Sequence, residues 1–303
     1  MNRPVIILGA GRSGTKFLRG LLAHHPDFRA VPYDVNHVWM AEAADPSHDE
    51  AGSGDLTPQA VKRLRCRLES FGGRYGSGHG IRLVEKTVSN TLRVPLVNRV
   101  FPDAMMLHII RDGRDVVESA SRVWNQPVGL RYALGKLGYY SPSEAAKLLR
   151  RAILPRALGR LGRRPSPLMW GPRYRGYQID LERESIPLVA SRQWKSCVRS
   201  ACAGLQDIGS DRRLTLSYEA LVSDPSVVEA VARFLGCDPE PLVLAYQRSV
   251  RHDRVGRFAE ALTPDVRRQV VDELTPLLRQ LKTRAVLGHS PLSLDPVAFR
   301  DAA

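Results

Sequence analysis

The sequence predicts an α/β domain built on a parallel sheet covered by helices. Three observations carry that expectation. An apolar run, PVIIL (4–8), breaks at the glycine-rich turn GAGRSG (9–14), and helical spacing follows at once, with Phe17, Leu18, Leu21 and Leu22 on one face. A second run, AMMLHII (104–110), stops at Arg111 and gives way to GRDVVESASRVW, helical again through Val116, Val117, Ala120 and Trp124. A third, RLTLSY (213–218), follows a helical stretch over about 187–207. Strands alternating with helices in this way read as a parallel sheet.

In chain order, the first helix runs to about His25, and PDFRAVPY (26–33) carries two prolines and little strand character. Residues 41–80 are polar and glycine-rich except for QAVKRLRCRLESF (59–71), which fits a helix. IRLVEKT (81–87) reads as a short strand ending in polar residues, and 91–100 as a helix. Residues 126–185 break the rhythm. Their segment KLLRRAILPRALGRLGRRPSPLMWGPRYRGY (147–177) is basic, punctuated by proline and aromatic at its end. It reads as a helical insertion, an acceptor-side lid, within one domain of residues 1–303. Trp170, Tyr174 and Tyr177 either stack on a substrate or pin this lid to the core. A helix at 226–235 resumes the pattern, and a last one starts at Thr263-Pro264, where Thr caps and Pro fits the first turn.

The chain has 303 residues and 45 Lys+Arg against 31 Asp+Glu, a net charge of +14. Such a surplus favours anionic nucleotides, polyanions or acidic membrane surfaces. Aromatics do not interleave with arginine as in a single-strand platform, so no specific nucleic-acid partner is expected. The four cysteines form no CxxC pair and read as reduced thiols. No apolar run approaches the roughly 18 residues of a spanning helix, and the N-terminus enters a strand rather than a signal peptide. The expected location is the cytoplasm, with the basic insertion able to rest on an anionic membrane surface or glycan. His24, His25 and His108 read as scaffold, and no metal site is expected.

The loop itself admits three readings. Gly9-x-Gly11-x-x-Gly14 fits the dinucleotide fingerprint, and Asp34 stands about 20 residues on, where that fold places an acid. Against it, Arg12 is bulky where a dinucleotide needs close backbone approach. Gly14-Thr15-Lys16 nearly fits a triphosphate loop, but a magnesium-dependent kinase or NTPase needs the lysine before the hydroxyl. Asp112 would then imitate its metal-binding strand end. The third reading is a sulfonated nucleotide.

Arg111 at the end of a buried strand, with Ser119 eight residues on, separates these readings. Together with GRSGTK it closely resembles the two cofactor motifs of the sulfotransferases that use 3'-phosphoadenosine-5'-phosphosulfate (PAPS). EKTVSN (85–90), LSYEALVSDPSVVEAVARFLGC (216–237) and VGRFAEALTPDVRRQV (255–270) resemble further family segments in the family's order. The likeness spans about 4–125 and 187–283, nearest the tyrosylprotein and carbohydrate branches, because Arg12-Ser13-Gly14-Thr15 replaces a Lys-Ser-Gly-Thr version.

The resemblance implies a P-loop-like three-layer sandwich and transfer of a sulfonyl group from PAPS to an acceptor hydroxyl (glycan, lipid-linked or tyrosyl), releasing the bisphosphate PAP. It implies that Ser13, Gly14, Thr15 and Lys16 cradle the 5' phosphosulfate and that Arg12 forks to the sulfate or bridging oxygen. Arg111 and Ser119 would hold the 3'-phosphate, with Arg122 one residue out of step for a supporting role. Lys86 would stabilise charge on the bridging oxygen; its plainer role is an ion pair with Glu85. Tyr218 and Arg257 match nucleotide contacts, although Tyr218 also suits a core. Asp34, 22 positions after Arg12, matches the acidic residue of the carbohydrate branch, usually a Glu, and is the expected base. His37 and Glu85 are its rivals. Besides the kinase, a basic nucleotide-binding module without catalysis is the other alternative.

Overall fold

β1 (Val5–Leu8) has no exposed residue, as an uninterrupted apolar run at the centre of a parallel sheet requires. The computed structural model describes residues 3–43, 45–73, 81–124, 126, 130–141, 144, 170–258 and 262–286. Four strands join β1: β2 (Phe28–Ala30), β3 (Arg82–Glu85), β4 (Met105–Ile110) and β5 (Arg213–Ser217). All are parallel, in the order β2-β3-β1-β4-β5. Val5 lies opposite Val84 on one side and Met105 on the other, and Leu8 opposite His108.

Helices on the N-terminal side are α1 (Thr15–Ala23), α2 (Asn36–Trp39), α3 (Pro58–Gly73), α4 (Val94–Val100), α5 (Gly113–Val123) and α6 (Leu130–Leu137). They are followed by α7 (Tyr177–Arg183), α8 (Ile186–Gly204), α9 (Tyr218–Ser223), α10 (Ser226–Leu235), α11 (Glu240–Ser249) and α12 (Pro264–Val286). The two-residue period of the strands sorts their side chains to opposite faces. Val5, Ile7, Leu107, Ile109 and Leu216 pack with α1, α10 and α11. Ile6, Leu8 and Met106 face the other way, against α3 and α4. A third cluster joins α5, α8 and α12. The result is the expected three-layer α/β sandwich.

From β1 the chain runs out to β2, returns through β3, and crosses to β4 and β5 on the other side. Such a reversal opens a crevice outside the carboxyl ends of the central strands. The structure corrects the reading of PDFRAVPY, since Phe28–Ala30 form an edge strand paired only with β3. The two prolines flank the strand, where no ladder bond is lost. The helix expected at 91–100 is a 3₁₀ turn (Val88–Leu92) and then α4, broken at Arg93. Tyr218 opens α9 rather than closing β5, because Ser217 caps the turn by accepting from the Ala220 amide at 3.3 Å. Much of the expected insertion, 145–169, lies outside the described residues. Its flanks include α6 and α7. Tyr177 donates its hydroxyl to the Trp170 carbonyl at 2.9 Å, and Trp170 packs on Trp124 at 5.4 Å, so these aromatics pin the segment's end to the core. Among the described residues, no helix is long and apolar enough to cross a membrane.

Candidate active site

The glycine loop is shaped by close packing. A Cβ at Gly9 would lie 2.8 Å from the Ile109 carbonyl oxygen, and one at Gly14 would lie 2.8 Å from a Tyr218 ring carbon. Gly14 also has φ +92°, a left-handed backbone that glycine adopts without strain. Arg12 adopts φ +72°, which a side chain of its size rarely does. Ser13 donates its amide to Ala10 at 3.1 Å, closing the turn, while its hydroxyl is buried with no partner. α1 starts at Thr15 without a side-chain cap, so its first amides face the crevice and favour an anion.

Arg111 leaves the end of β4 and is held on every side. Its carbonyl accepts from Trp194 Nε1 at 3.1 Å, and the next amide, Asp112 N, donates to Glu219 at 2.9 Å. Its guanidinium lies 4.6 Å above the Tyr218 ring and donates to the Arg12 carbonyl at 3.2 Å and to the Arg254 carbonyl. These contacts explain the LSYE segment physically: Tyr218 supports the charge and Glu219 fixes the backbone beside it. Asp115, one turn into α5, accepts the Gly256 amide at 2.7 Å and the Phe258 amide at 3.0 Å. That brace brings Arg254 and Arg257 to the crevice. Asp112 caps α5 and pairs with Arg114 at 2.8 Å, which occupies the carboxylate a metal-binding strand end would need.

Arg12 donates Nε to Ser119 at 2.9 Å. In this structure the Arg12 side chain therefore lies toward the Arg111–Ser119 end of the crevice. Burial first, and then the charges of Arg111, Arg122 and Arg254, hold its pKa below the ordinary arginine value. Lys16 sits toward the other end; burial and Lys86 lower its pKa while Asp34 opposes them.

At that other end Lys86 pairs with Asp34 at 3.7 Å rather than with Glu85. Asp34 accepts the Val88 amide at 3.1 Å through one oxygen and the Asn36 amide at 3.2 Å through the other. Glu85 is fully buried, bound by Thr87 and by Asn90 Nδ2 at 2.9 Å. His37 stacks on Tyr140 with ring centres 3.7 Å apart. Of the three base candidates, Asp34 alone lines the crevice.

Burial pushes the Glu85 carboxyl up to about 7, against the Thr87 hydrogen bond that favours its charged form. A carboxyl raised from 4.5 holds its proton longer in the folded state, so it stabilises the fold fully below pH 4.5, and that stability is lost as pH rises to about 7. Glu85→Gln is expected to flatten the fall in melting temperature over this window, a difference on the order of 1–3 kcal/mol. Asn90 can turn its unpartnered Oδ1 to the new amide. Parallel melting curves of the two proteins from pH 5 to 8 check this.

The crevice holds about 740 Å³. Arg12, Gly14, Thr15, Lys16, Asp34, Lys86, Arg111, Ser119, Tyr218 and Arg257 all line it; Ser13 lies buried behind. Among the described residues, eight basic side chains face it against two acidic ones, Asp34 and Glu118. Sequence reasoning missed Arg254, Lys136, Asn36, Ser89 and Glu118. Only the (i, i+4) spacing of Glu118 and Arg122, which pair at 3.4 Å, could have signalled one of them. It missed Asp49 as well, fully buried and bound to Arg173 at 2.7 Å, to Asn36 at 3.0 Å and to Ser89 at 2.8 Å.

Residues 4–152 match the model of a family described as the sulfotransferase family. Comparison with curated protein sequences gives no significant match. Among solved structures, a sulfotransferase domain from the curacin biosynthetic pathway superposes with a TM-score of 0.54 at 14% identity, over 91% of this chain and 98% of that one. That likeness shows a shared fold. A sulfotransferase from Alicyclobacillus acidocaldarius has a TM-score of 0.49 at 19% identity, over 97% and 98% of the two chains. Mouse sulfotransferase SULT7A1, complexed with PAP, has a TM-score of 0.47 at 12% identity, over 92% and 86%.

Proposed function

We propose that this chain, a member of the sulfotransferase family, moves a sulfonyl group from PAPS to an acceptor hydroxyl and releases PAP. The observation that carries the reading is the convergence of Arg12, Arg111, Arg122 and Arg254 beside an uncapped helix N-terminus, where their mutual repulsion calls for an anion. The residues present suit such a donor: the buried Ser13 hydroxyl and Arg111 Nε have no partner in the structure. The donor contributes the sulfonyl group and a phosphate leaving group. Arg111, Ser119 and Arg12 hold the 3'-phosphate, supported by Tyr218, Arg254 and Arg257. The amides of Ser13, Gly14 and Thr15, with Lys16, hold the 5' group. Lys86 meets the charge that grows on the bridging oxygen as its bond to sulfur breaks. The acceptor oxygen forms the new bond to sulfur, and its proton passes to Asp34. The domain reading that goes with this is a single unit with residues 126–185 on the acceptor side.

Calorimetric titration with PAP tests the reading. PAP is expected to bind in the presence of EDTA and more tightly than magnesium-ATP or NAD. Ser119→Ala should weaken PAP by about 5- to 10-fold and Arg111→Ala by about 10- to 100-fold, as for lost charge-assisted hydrogen bonds. Binding of magnesium-ATP with no response to PAP would replace this reading with a kinase or NTPase.

A further inference from the structure

α6 brings to the crevice a cation, Lys136, to which the proposed function gives no part in holding the donor. The helix is seated closely. A Cβ at Gly135 would come 2.9 Å from Tyr33 Cζ, so the missing side chain lets α6 close on that ring. Just beyond it, Tyr139 packs 5.2 Å from Tyr33 and 5.1 Å from Phe71, and its carbonyl lies 3.0 Å from His37 Nε2. Glu144 binds Arg67 of α3 through both oxygens. This anchoring leaves Lys136 lining the crevice with Asp34, Asn36, Lys86 and Ser89.

The neighbouring neutral donors are already engaged, because Asn36 Nδ2 and Ser89 Oγ both donate to Asp49, at 3.0 and 2.8 Å. With Lys16 and Lys86 given to the donor in the proposed function, Lys136 is the remaining cation at this end, among the described residues, able to answer a negative charge. Its electrostatic neighbours are Asp34 and Lys86, not the arginines around Ser119. Burial and Lys86 lower its pKa by more than Asp34 restores, so the ammonium sits where further negative charge would stabilise it. Resting on the function proposed above, with the acceptor hydroxyl delivered to Asp34, we infer that Lys136 selects acceptors that carry an anionic group beside the hydroxyl to be sulfated.

A matched pair of probes tests this: 4-hydroxyphenylacetate, which carries a carboxylate, and its methyl ester, which does not, each with labelled PAPS. Wild type is expected to favour the carboxylate about tenfold in kcat/KM, as one added charge contact allows. Lys136→Met should remove most of that preference through KM, and Lys136→Glu should reverse it, with PAP affinity and melting temperature held. If wild type treats the two probes alike, or Lys136→Met slows both equally, the inference is wrong while the sulfotransferase reading stands. Should neither probe accept sulfate, their binding to the PAP-loaded protein carries the same comparison. Absence of PAP binding would instead remove the proposed function itself.

Discussion

Lys86→Met is expected to lower kcat by about 10²- to 10³-fold at saturating donor, the usual effect of removing one preorganised group from a developing negative charge. Affinity for PAPS itself should change by no more than a few-fold, because the bridging oxygen gains its charge only on transfer and the arginine cluster proposed to hold the 3'-phosphate gathers around Ser119. The asymmetry follows from position. Lys86 follows β3, buried, with Asp34 at 3.7 Å, and in the proposed reaction it meets charge that the donor lacks and that grows on the bridging oxygen as its bond to sulfur breaks. Methionine keeps the stem's shape, and Asp34 keeps both of its backbone donors, so the fold should tolerate the change. Single-turnover transfer from labelled PAPS, beside a PAPS titration without acceptor, reads the two quantities separately. A variant that bound PAPS poorly but transferred sulfate normally at saturation would assign Lys86 to binding and contradict the role given to it.

Asp34→Asn is the second large effect, a fall in kcat of about 10²- to 10⁴-fold for loss of a positioned base. Asp34 also ties the segment after β2 to the turn after β3, through the amides of Asn36 and Val88. A structural role alone would therefore move melting temperature and donor affinity together. A base predicts a different signature: kcat falls while donor affinity and melting temperature hold. A variant that bound donor normally and transferred sulfate at the wild-type rate would remove Asp34 from the chemistry.

The parts of this molecule that were legible in the sequence are those encoded by local pattern. PVIIL and AMMLHII could only be buried strands, and glycines 9 and 14 announced a turn that admits no side chain. Arg111 and Ser119 became visible through their spacing across a strand end and the first turns of a helix, and the structure places both on the crevice. β2 was not legible, because three residues between prolines carry too little periodicity, and their pairing with β3 decides the matter. Arg254 and Arg257 reach the crevice because Asp115 binds amides 141 and 143 residues further along, an arrangement no window of sequence displays. Lys136 owes its place to Gly135 closing on Tyr33, and Asp49 to a partner 124 residues away.

That last separation bears on how the chain matures on the ribosome. Asp49 is buried against Arg173 as well as Asn36 and Ser89, yet at about 5–20 residues per second the arginine emerges roughly 6–25 s after the aspartate. Throughout that interval the nascent chain holds a carboxylate whose final lodging does not yet exist, and β5, with Tyr218 and Glu219, is later still. The walls around Asn36 and Ser89 therefore set only once residue 173 has emerged. A polypeptide arrested before residue 173 should expose this corner to proteases and chaperones even when its first strands have already paired.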